Sequence, residues 1–411
     1  MKPVLFFLWV MLSVTVASQN YDTYFTDQTL RLDYQFAGSR DQQSVYLQNI
    51  YRLSGWAGRR NRLSEFPLAG TCQLTVKDVA SGDVIYCQSF STLFSEWLDT
   101  DEALTLKRSF PNTYLIPFPK DKIEVSIAFR TKKGEYVNKI THVIDPKDIL
   151  IRPLGMKSVT PYEVILKSDS TDRCVDLAFL AEGYTEEEMP LFVEDVRRAC
   201  EALFSHEPFR SMKDRFNVVA VKSASSESGV SIPRNHHWKM NRFGSHFDTF
   251  YSDRYLTSSA IPEIHNALAG IPYEQIIMLG NSETYGGGGV YNSFTLADAH
   301  NEKTWPVVVH EFGHTFGGLA DEYFYDEDLM TDTYPLDVEP WEPNITTKVD
   351  FASKWEDLYK SKKAGLYEGG GYSKKGVWRP SFDCRMRTNE CKEFCPVCQR
   401  ALSRMIDFYT R

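Results

Sequence analysis

No block of five or more Lys or Arg occurs in this 411-residue sequence, and Asp plus Glu (55) outnumber Lys plus Arg (46), for a formal charge of −9. A nucleic-acid-binding surface requires a basic stripe, so nucleic acid is not an expected partner. Internal repeats and low-complexity segments are also absent. Beyond the N-terminus no stretch approaches the roughly 20 apolar residues of a membrane span. Apolar residues at 42% and charged residues at 25% are ordinary globular values that exclude wholesale disorder. What is abundant is aromatic: 22 Tyr and 26 Phe suit large apolar cores and an aromatic-lined cleft.

The start, Met1-Lys2-Pro3, leads into an apolar run from Val4 to Val16 and then Ala17-Ser18-Gln19. A short positive beginning, an apolar core and small residues after it describe a secretory signal peptide over 1–18. No Cys follows the small residues, which argues against a lipoprotein anchor. The expected product is exported, periplasmic or extracellular, without a membrane span, and a monomer. Eight cysteines in an exported chain permit disulfides.

Two regions of different rhythm follow. Residues 19–150 are rich in short alternating stretches, such as Thr29-Leu30-Arg31-Leu32-Asp33-Tyr34, Gln73-Leu74-Thr75-Val76-Lys77 and Lys122-Ile123-Glu124-Val125-Ser126-Ile127. With turn residues such as Ser81-Gly82-Asp83 between them, these predict an antiparallel β-sandwich domain. Asp145 to Gly155 reads as a linker. Residues 151–411 then alternate strands (Cys174 to Leu180, Phe216 to Val221, Gln275 to Leu279) with helices (one after Thr185-Glu186-Glu187-Glu188, another over Ile261 to Leu268). The first helix opens with a capping-box pattern. This alternation predicts an α/β domain with a largely parallel sheet.

The chemistry is concentrated in Val307-Val308-Val309-His310-Glu311-Phe312-Gly313-His314, an H-E-x-x-H sequence. On a helix, positions i and i+4 share a face, so His310 and His314 can hold one zinc ion, and the intervening Glu311 can reach a zinc-bound water as general base. Thr304 is a candidate N-cap, Pro306 suits the first turn, and Gly317-Gly318 ends the helix. A catalytic zinc wants three protein ligands and one open position. In metzincin-type peptidases the third ligand stands ten residues beyond the first His, which here is Ala320. Asp321 is therefore the leading third ligand, Glu322 the runner-up, and a distant residue the remaining choice. Upstream, Gly287, Gly288, Gly289, Val290 and Tyr291 form a glycine-rich strand expected to edge the cleft and pair with an extended peptide substrate. Downstream, Met386 is the candidate for a methionine turn beneath the metal. Cys384, Cys391, Cys395 and Cys398 lie close together, with Cys395-Pro396-Val397-Cys398 in C-x-x-C spacing. Two disulfides are the first expectation, a structural zinc the second and free thiols the third.

The segment from His310 to Tyr323 resembles the signature of the IgA peptidase family of secreted zinc metallopeptidases. The resemblance extends through Tyr285 to Tyr291, Gly369-Gly370-Gly371-Tyr372, Cys384-Arg385-Met386-Arg387 and Phe394 to Cys398. In the front half, Gly55-Trp56-Ala57-Gly58-Arg59-Arg60 and Ser89 to Trp97 resemble the N-terminal β-domain that accompanies this peptidase. The resemblance implies a metzincin-like fold and a zinc-dependent endopeptidase with one catalytic Zn2+ on His310, His314 and Asp321, Glu311 as base, and protein or peptide substrates. It does not make immunoglobulin the substrate.

The competing reading is a glycan- or protein-binding module that keeps a peptidase-like fold with weak or no catalysis. Such a relic would have no use for Glu311, which binds no metal and serves only to activate water. His236-His237 reads as a surface loop, and Asp326-Glu327-Asp328 as a solvated acidic loop. Asn344-Ile345-Thr346 is a glycosylation sequon that matters only in a eukaryotic secretory route.

Overall fold

The computed structural model of the chain describes residues 21–325 and 333–411. The signal-peptide segment 1–18 and the acidic run Asp326-Glu327-Asp328 lie outside the described residues.

The front of the chain forms two four-stranded sheets. One has the order β5 (Arg108–Pro119), β1 (Phe25–Gly38), β2 (Gln43–Ser54), β8 (Arg152–Leu154). The other runs β4 (Val84–Phe90), β3 (Cys72–Asp78), β6 (Ile123–Arg130), β7 (Tyr136–Ile144). Their alternation follows from the strand period of two. Leu30, Leu32, Tyr34 and Phe36 on β1 are fully buried, as are Cys72, Leu74 and Val76 on β3 and Val125 and Ile127 on β6. Aromatic pairs join the sheets: Phe36 stacks on Phe129 at 5.2 Å, and Phe90 meets Tyr114 at 4.2 Å. One pairing departs from the all-antiparallel expectation. Within the stretch read as a linker, β8 adds to β2 in parallel, with Tyr51, Arg52 and Leu53 opposite Arg152, Pro153 and Leu154.

A six-stranded sheet follows in the order β13 (Gly287–Val290), β14 (Phe294–Asp298), β12 (Gln275–Gly280), β10 (Val175–Glu182), β11 (Phe216–Val221), β9 (Tyr162–Leu166). The interior pairings are parallel and both edge pairings antiparallel. Every residue of β10 is buried, as expected for a parallel strand covered on both faces. Leu177, Phe179 and Ile277 pack on one side with the helices Met189–Leu203, Thr304–Gly317 and Pro396–Thr410. Ala178, Leu180, Ile276, Met278 and Leu296 turn to the other side, into the same apolar cluster as the front two sheets. The front half and that face thus share one apolar core, with the helix Ile261–Ala267 packed against β5. The Thr185/Glu188 capping box forms and opens the Met189–Leu203 helix region. No helix among the described residues is long and apolar enough to cross a membrane.

Candidate metal centre

The H-E-x-x-H helix spans Thr304–Gly317. Thr304 does not cap it: its hydroxyl lies 2.7 Å from Asp298 Oδ2 and 2.8 Å from the Asn301 carbonyl and shares its one proton between them, fixing the helix start to the end of β14. Val308, Val309, Phe312 and Phe316 bury one face in the core, which leaves His310, Glu311 and His314 on the half-exposed face. Gly318, at φ +57°, ends the helix in the left-handed region that glycine adopts without strain. The chain then turns back so that Leu319 and Asp321 come under the histidines.

His310 Nδ1 lies 2.9 Å from the Arg385 carbonyl and His314 Nδ1 lies 2.6 Å from the Leu319 carbonyl. Carbonyls only accept, so the hydrogen-bond network assigns the ring proton of each neutral imidazole to Nδ1 and leaves the Nε2 lone pair free. The two Nε2 atoms are 3.0 Å apart. Asp321 Oδ1, buried without a hydrogen-bond partner, stands 3.0 Å from His310 Nε2 and 3.4 Å from His314 Nε2. Three electron-pair donors aimed at one point fit a divalent cation, and two imidazoles with one carboxylate are a donor set suited to zinc. Burial works against a charged Asp321, yet His314 and His310 hold its carboxyl far below the usual range. Burial also pulls His314 down, but Asp321 and Glu311 outweigh it and lift the imidazole to about 9.

Glu322, the neighbour of Asp321, turns away from the histidines. Its Oε1 lies 3.1 Å from Cys398 Sγ and accepts from Asn344 Nδ2 at 3.1 Å. Asn344 also clamps the strand of chain before it, with Oδ1 accepting from Ala320 N (2.8 Å) and Nδ2 donating to Ala320 O (2.9 Å). Fully buried and committed in this way, Asn344 is not presented as a glycosylation acceptor. Met386 lies beneath the helix: a Cβ on Gly313 would come within 2.7 Å of its Sδ, and its carbonyl accepts from Glu322 N at 2.8 Å.

The glycine strand β13 lies against the helix, and this explains its composition. A Cβ at Gly287 would meet Glu311 Cγ at 3.0 Å and Oε1 at 3.1 Å; one at Gly289 would meet the Glu311 carbonyl at 2.4 Å; one at Gly288 would meet the Tyr255 ring at 2.7 Å. The close approach that the absent side chains permit is made by the helix and by Tyr255. Gly286 O accepts from Asp298 N, so in the antiparallel ladder with β14 the main-chain groups of Gly288 and Val290 face inward and those of Gly287 and Gly289 outward. Gly287 already exchanges bonds with Arg254 O and Leu256 N, and Tyr291 O accepts from Ser91 N. Val290 and Tyr291 are buried, Tyr291 against Trp341. Among the described residues, Gly289 is the one position of this edge whose outward N–H and carbonyl have no main-chain partner.

The cysteine expectation changes as well. No disulfide joins any of the eight cysteines. Cys391 stands apart with its thiol 3.4 Å from the Glu393 carbonyl, while Cys384, Cys395 and Cys398 gather around Glu322.

Two family models match the chain. One, described as IgA Peptidase M64, covers residues 164–364 and 356–406, more than half of the sequence. The chain belongs to the IgA peptidase M64 family. A second, described as Peptidase M64 N-terminus, covers residues 20–141, so both halves of the M64 arrangement are present. No curated protein matches the chain. M64 proteins are metallopeptidases, which makes this chain a peptidase with protein substrates.

Several groups around the M64 site have no motif spacing to announce them. Tyr372, itself at φ +65°, donates to Asp321 Oδ2 at 2.5 Å and orients the carboxylate from 51 residues away. From the front half, Thr92 caps the short helix Leu93–Trp97, accepting from Ser95 N at 3.0 Å. That helix carries Glu96 to the hydroxyl of Tyr255, which hydrogen-bonds it. Burial pushes Glu96 up to about 7; the Tyr255 hydrogen bond and His314 oppose this, and the charge of Glu311 adds to it. A cavity of about 270 Å³ is lined by Trp56, Arg59, Tyr86, Glu274 and Phe408 among others, and includes none of His310, Glu311, His314 or Asp321.

Proposed function

We propose that this M64 peptidase is an exported, zinc-dependent endopeptidase in which His310, His314 and Asp321 hold the ion and Glu311 is the general base. The observation that carries the reading is the convergence of His310 Nε2, His314 Nε2 and Asp321 Oδ1 on one point beside a carboxylate of the same helix. When bound, zinc supplies a Lewis acid that polarises the scissile carbonyl and favours deprotonation of water. Glu311 takes the proton of the attacking water and delivers it to the departing amine. The Arg385 and Leu319 carbonyls keep both imidazoles in the ligating tautomer, and Tyr372 fixes the rotamer of Asp321. Gly289 offers its outward main chain to one residue of an extended substrate, a narrower edge than the five residues read from the sequence.

The reading retains a signal peptide at 1–18, a β-domain at 19–150 and the catalytic region at 151–411. Because the front sheets share a core with the later sheet, we assign the front half to shaping the cleft rather than to a separable binding module. The test is cleavage of casein and of a quenched peptide library by the purified chain, with and without chelator, followed by mapping of the cleaved bonds. Chelator-sensitive cleavage at internal bonds supports the reading, and cleavage indifferent to complete metal removal rejects it.

A further inference from the structure

We propose that Glu322, Cys384, Cys395 and Cys398 form a second, structural zinc site, closed to solvent and separate from the catalytic set. All four residues are buried, with Glu322, Cys384 and Cys398 fully so and Cys395 at 5% exposure. Their ligand atoms lie within 4.8 Å of one another. The separations are those of a coordination shell rather than of covalent bonds. With Zn–S of about 2.3 Å, a tetrahedron places two sulfurs about 3.8 Å apart; with Zn–O of about 2.0 Å, sulfur and oxygen stand about 3.5 Å apart. Cys384 Sγ and Cys398 Sγ are 3.8 Å apart. Glu322 Oε1 is 3.1 Å from Cys398 Sγ and 3.9 Å from Cys395 Sγ, values on either side of the second figure. A disulfide would bring two of these sulfurs to about 2.05 Å and leave the third thiol and the carboxylate without a role.

A second observation is independent of the sulfurs. Glu322 Oε2 is buried and has no hydrogen-bond partner, although the side chain is fully enclosed. A carboxylate withdrawn from water needs a counter-charge. Asn344 satisfies only Oε1, and a divalent cation bound by Glu322 and three thiolates supplies the charge that Asn344 cannot. Burial alone keeps the thiols of Cys384 and Cys398 protonated, and the helix start is what opposes it. Cys395 N lies 3.2 Å from Cys384 Sγ, and Cys395 and Cys398 occupy the N-cap and first turn of the Pro396–Thr410 helix, whose positive end faces the cluster. Binding displaces the thiol protons and leaves no open coordination position, so the ion is structural.

Its place in the fold gives it work. Glu322 follows Asp321 in the chain, and Cys384 precedes Arg385, whose carbonyl holds His310. Glu322 N donates to Met386 O. An ion here ties the Asp321 turn, the 384–386 segment and the C-terminal helix into one unit that holds the catalytic ligands from below.

The test is zinc counted per full-length chain, purified without chelator and with reduced thiols, in four proteins. Wild type is expected to hold two zinc ions, the His310→Ala/His314→Ala chain one, and the Cys391→Ser control two. Cys398→Ser added to the double-histidine chain should remove the last ion. Cobalt loaded into the double-histidine chain should show thiolate charge-transfer absorption. If Cys398→Ser does not fold, an organomercurial titration of wild type reads the same point, with one zinc released as three thiols are modified. A double-histidine chain without zinc and without the cobalt–thiolate band, or an intact mass showing a disulfide among Cys384, Cys395 and Cys398 in the native protein, overturns the proposal. A failure of the catalytic reading alone is distinguishable, because one thiolate-bound ion would then be found in wild type and double-histidine chains alike.

Discussion

Asp321 and Glu322 are adjacent in the chain, yet they enter two ligand clusters of opposite character. Asp321 joins two imidazoles whose side chains are 12% and 16% exposed, on the half-open face of the helix. Glu322 joins three thiols in a pocket sealed from water. Access separates a set suited to exchanging a ligand from one suited to holding its ion. The dipeptide places a carboxylate in each, Asp321 toward the imidazoles and Glu322 toward Asn344 and Cys398.

The sharpest cut through this comparison is Glu311→Gln. It should leave metal content unchanged and lower peptidase turnover by about 10³-fold, read by elemental analysis beside a quenched-peptide assay. Near-normal turnover with full metal would remove Glu311 from the chemistry. Next, Asp321→Ala and Glu322→Ala should fail differently. The first should weaken binding at the open set by orders of magnitude while the fold persists; the second should lower the melting temperature more strongly, because it opens the buried cluster. Equal effects in both assays would erase the distinction between the two sets. A smaller change is Tyr372→Phe, which removes the hydroxyl on Asp321 Oδ2 and should cost about 10–100-fold in affinity at the open set alone. Isothermal titration with zinc against a competing chelator measures it, and an unchanged affinity would mean that Asp321 is held without the tyrosine.

The mildest test is pH. Asp321 holds the proton on His314 up to about 9, so below that pH an incoming ion must displace it. Apparent affinity at the open set should therefore rise with pH and level off near 9, by up to about tenfold per unit for one displaced proton. The same chelator competition at several pH values checks the slope, and a flat profile between pH 6 and 8 would contradict the coupling.

Much of the proposed catalytic set was legible because its helix spacing is local: His310, Glu311 and His314 need only the i, i+4 rule. Asp321 and Glu322 were harder to separate, since the choice is made by the turn at Gly318 and by Asn344, which clamps Ala320 from 24 residues away. The same distance problem hid the contacts of Tyr372 and Glu96, which reach the site from other elements although both lie in segments that carry the family resemblance. The glycine strand is ambiguous for a different reason. A run of glycines announces close approach without naming the visitor, and here Gly287 and Gly289 admit the helix itself. In the front half, alternation at Leu30, Leu32 and Leu74, Val76 marked the strands, but nothing in the spacing of Arg152–Leu154 announced a parallel partner for β2. Four closely spaced cysteines likewise suggested a set of four, and the fold replaced Cys391 with a carboxylate from another segment.

The face of the later sheet formed by Ala178, Leu180, Ile276, Met278 and Leu296 belongs to one apolar cluster with the front sheets, and the helix Ile261–Ala267, which packs on β5, is part of the same cluster. During synthesis the front sheets emerge first and must wait with part of their own apolar surface unmatched until the helix Ile261–Ala267 arrives. A protease that cuts between β7 and β8 would separate the polypeptide without freeing either piece, because each fragment remains the other's solvent. The two halves are thus bound to a common fate: neither can be shed, exchanged or inherited alone without exposing a surface that water penalises.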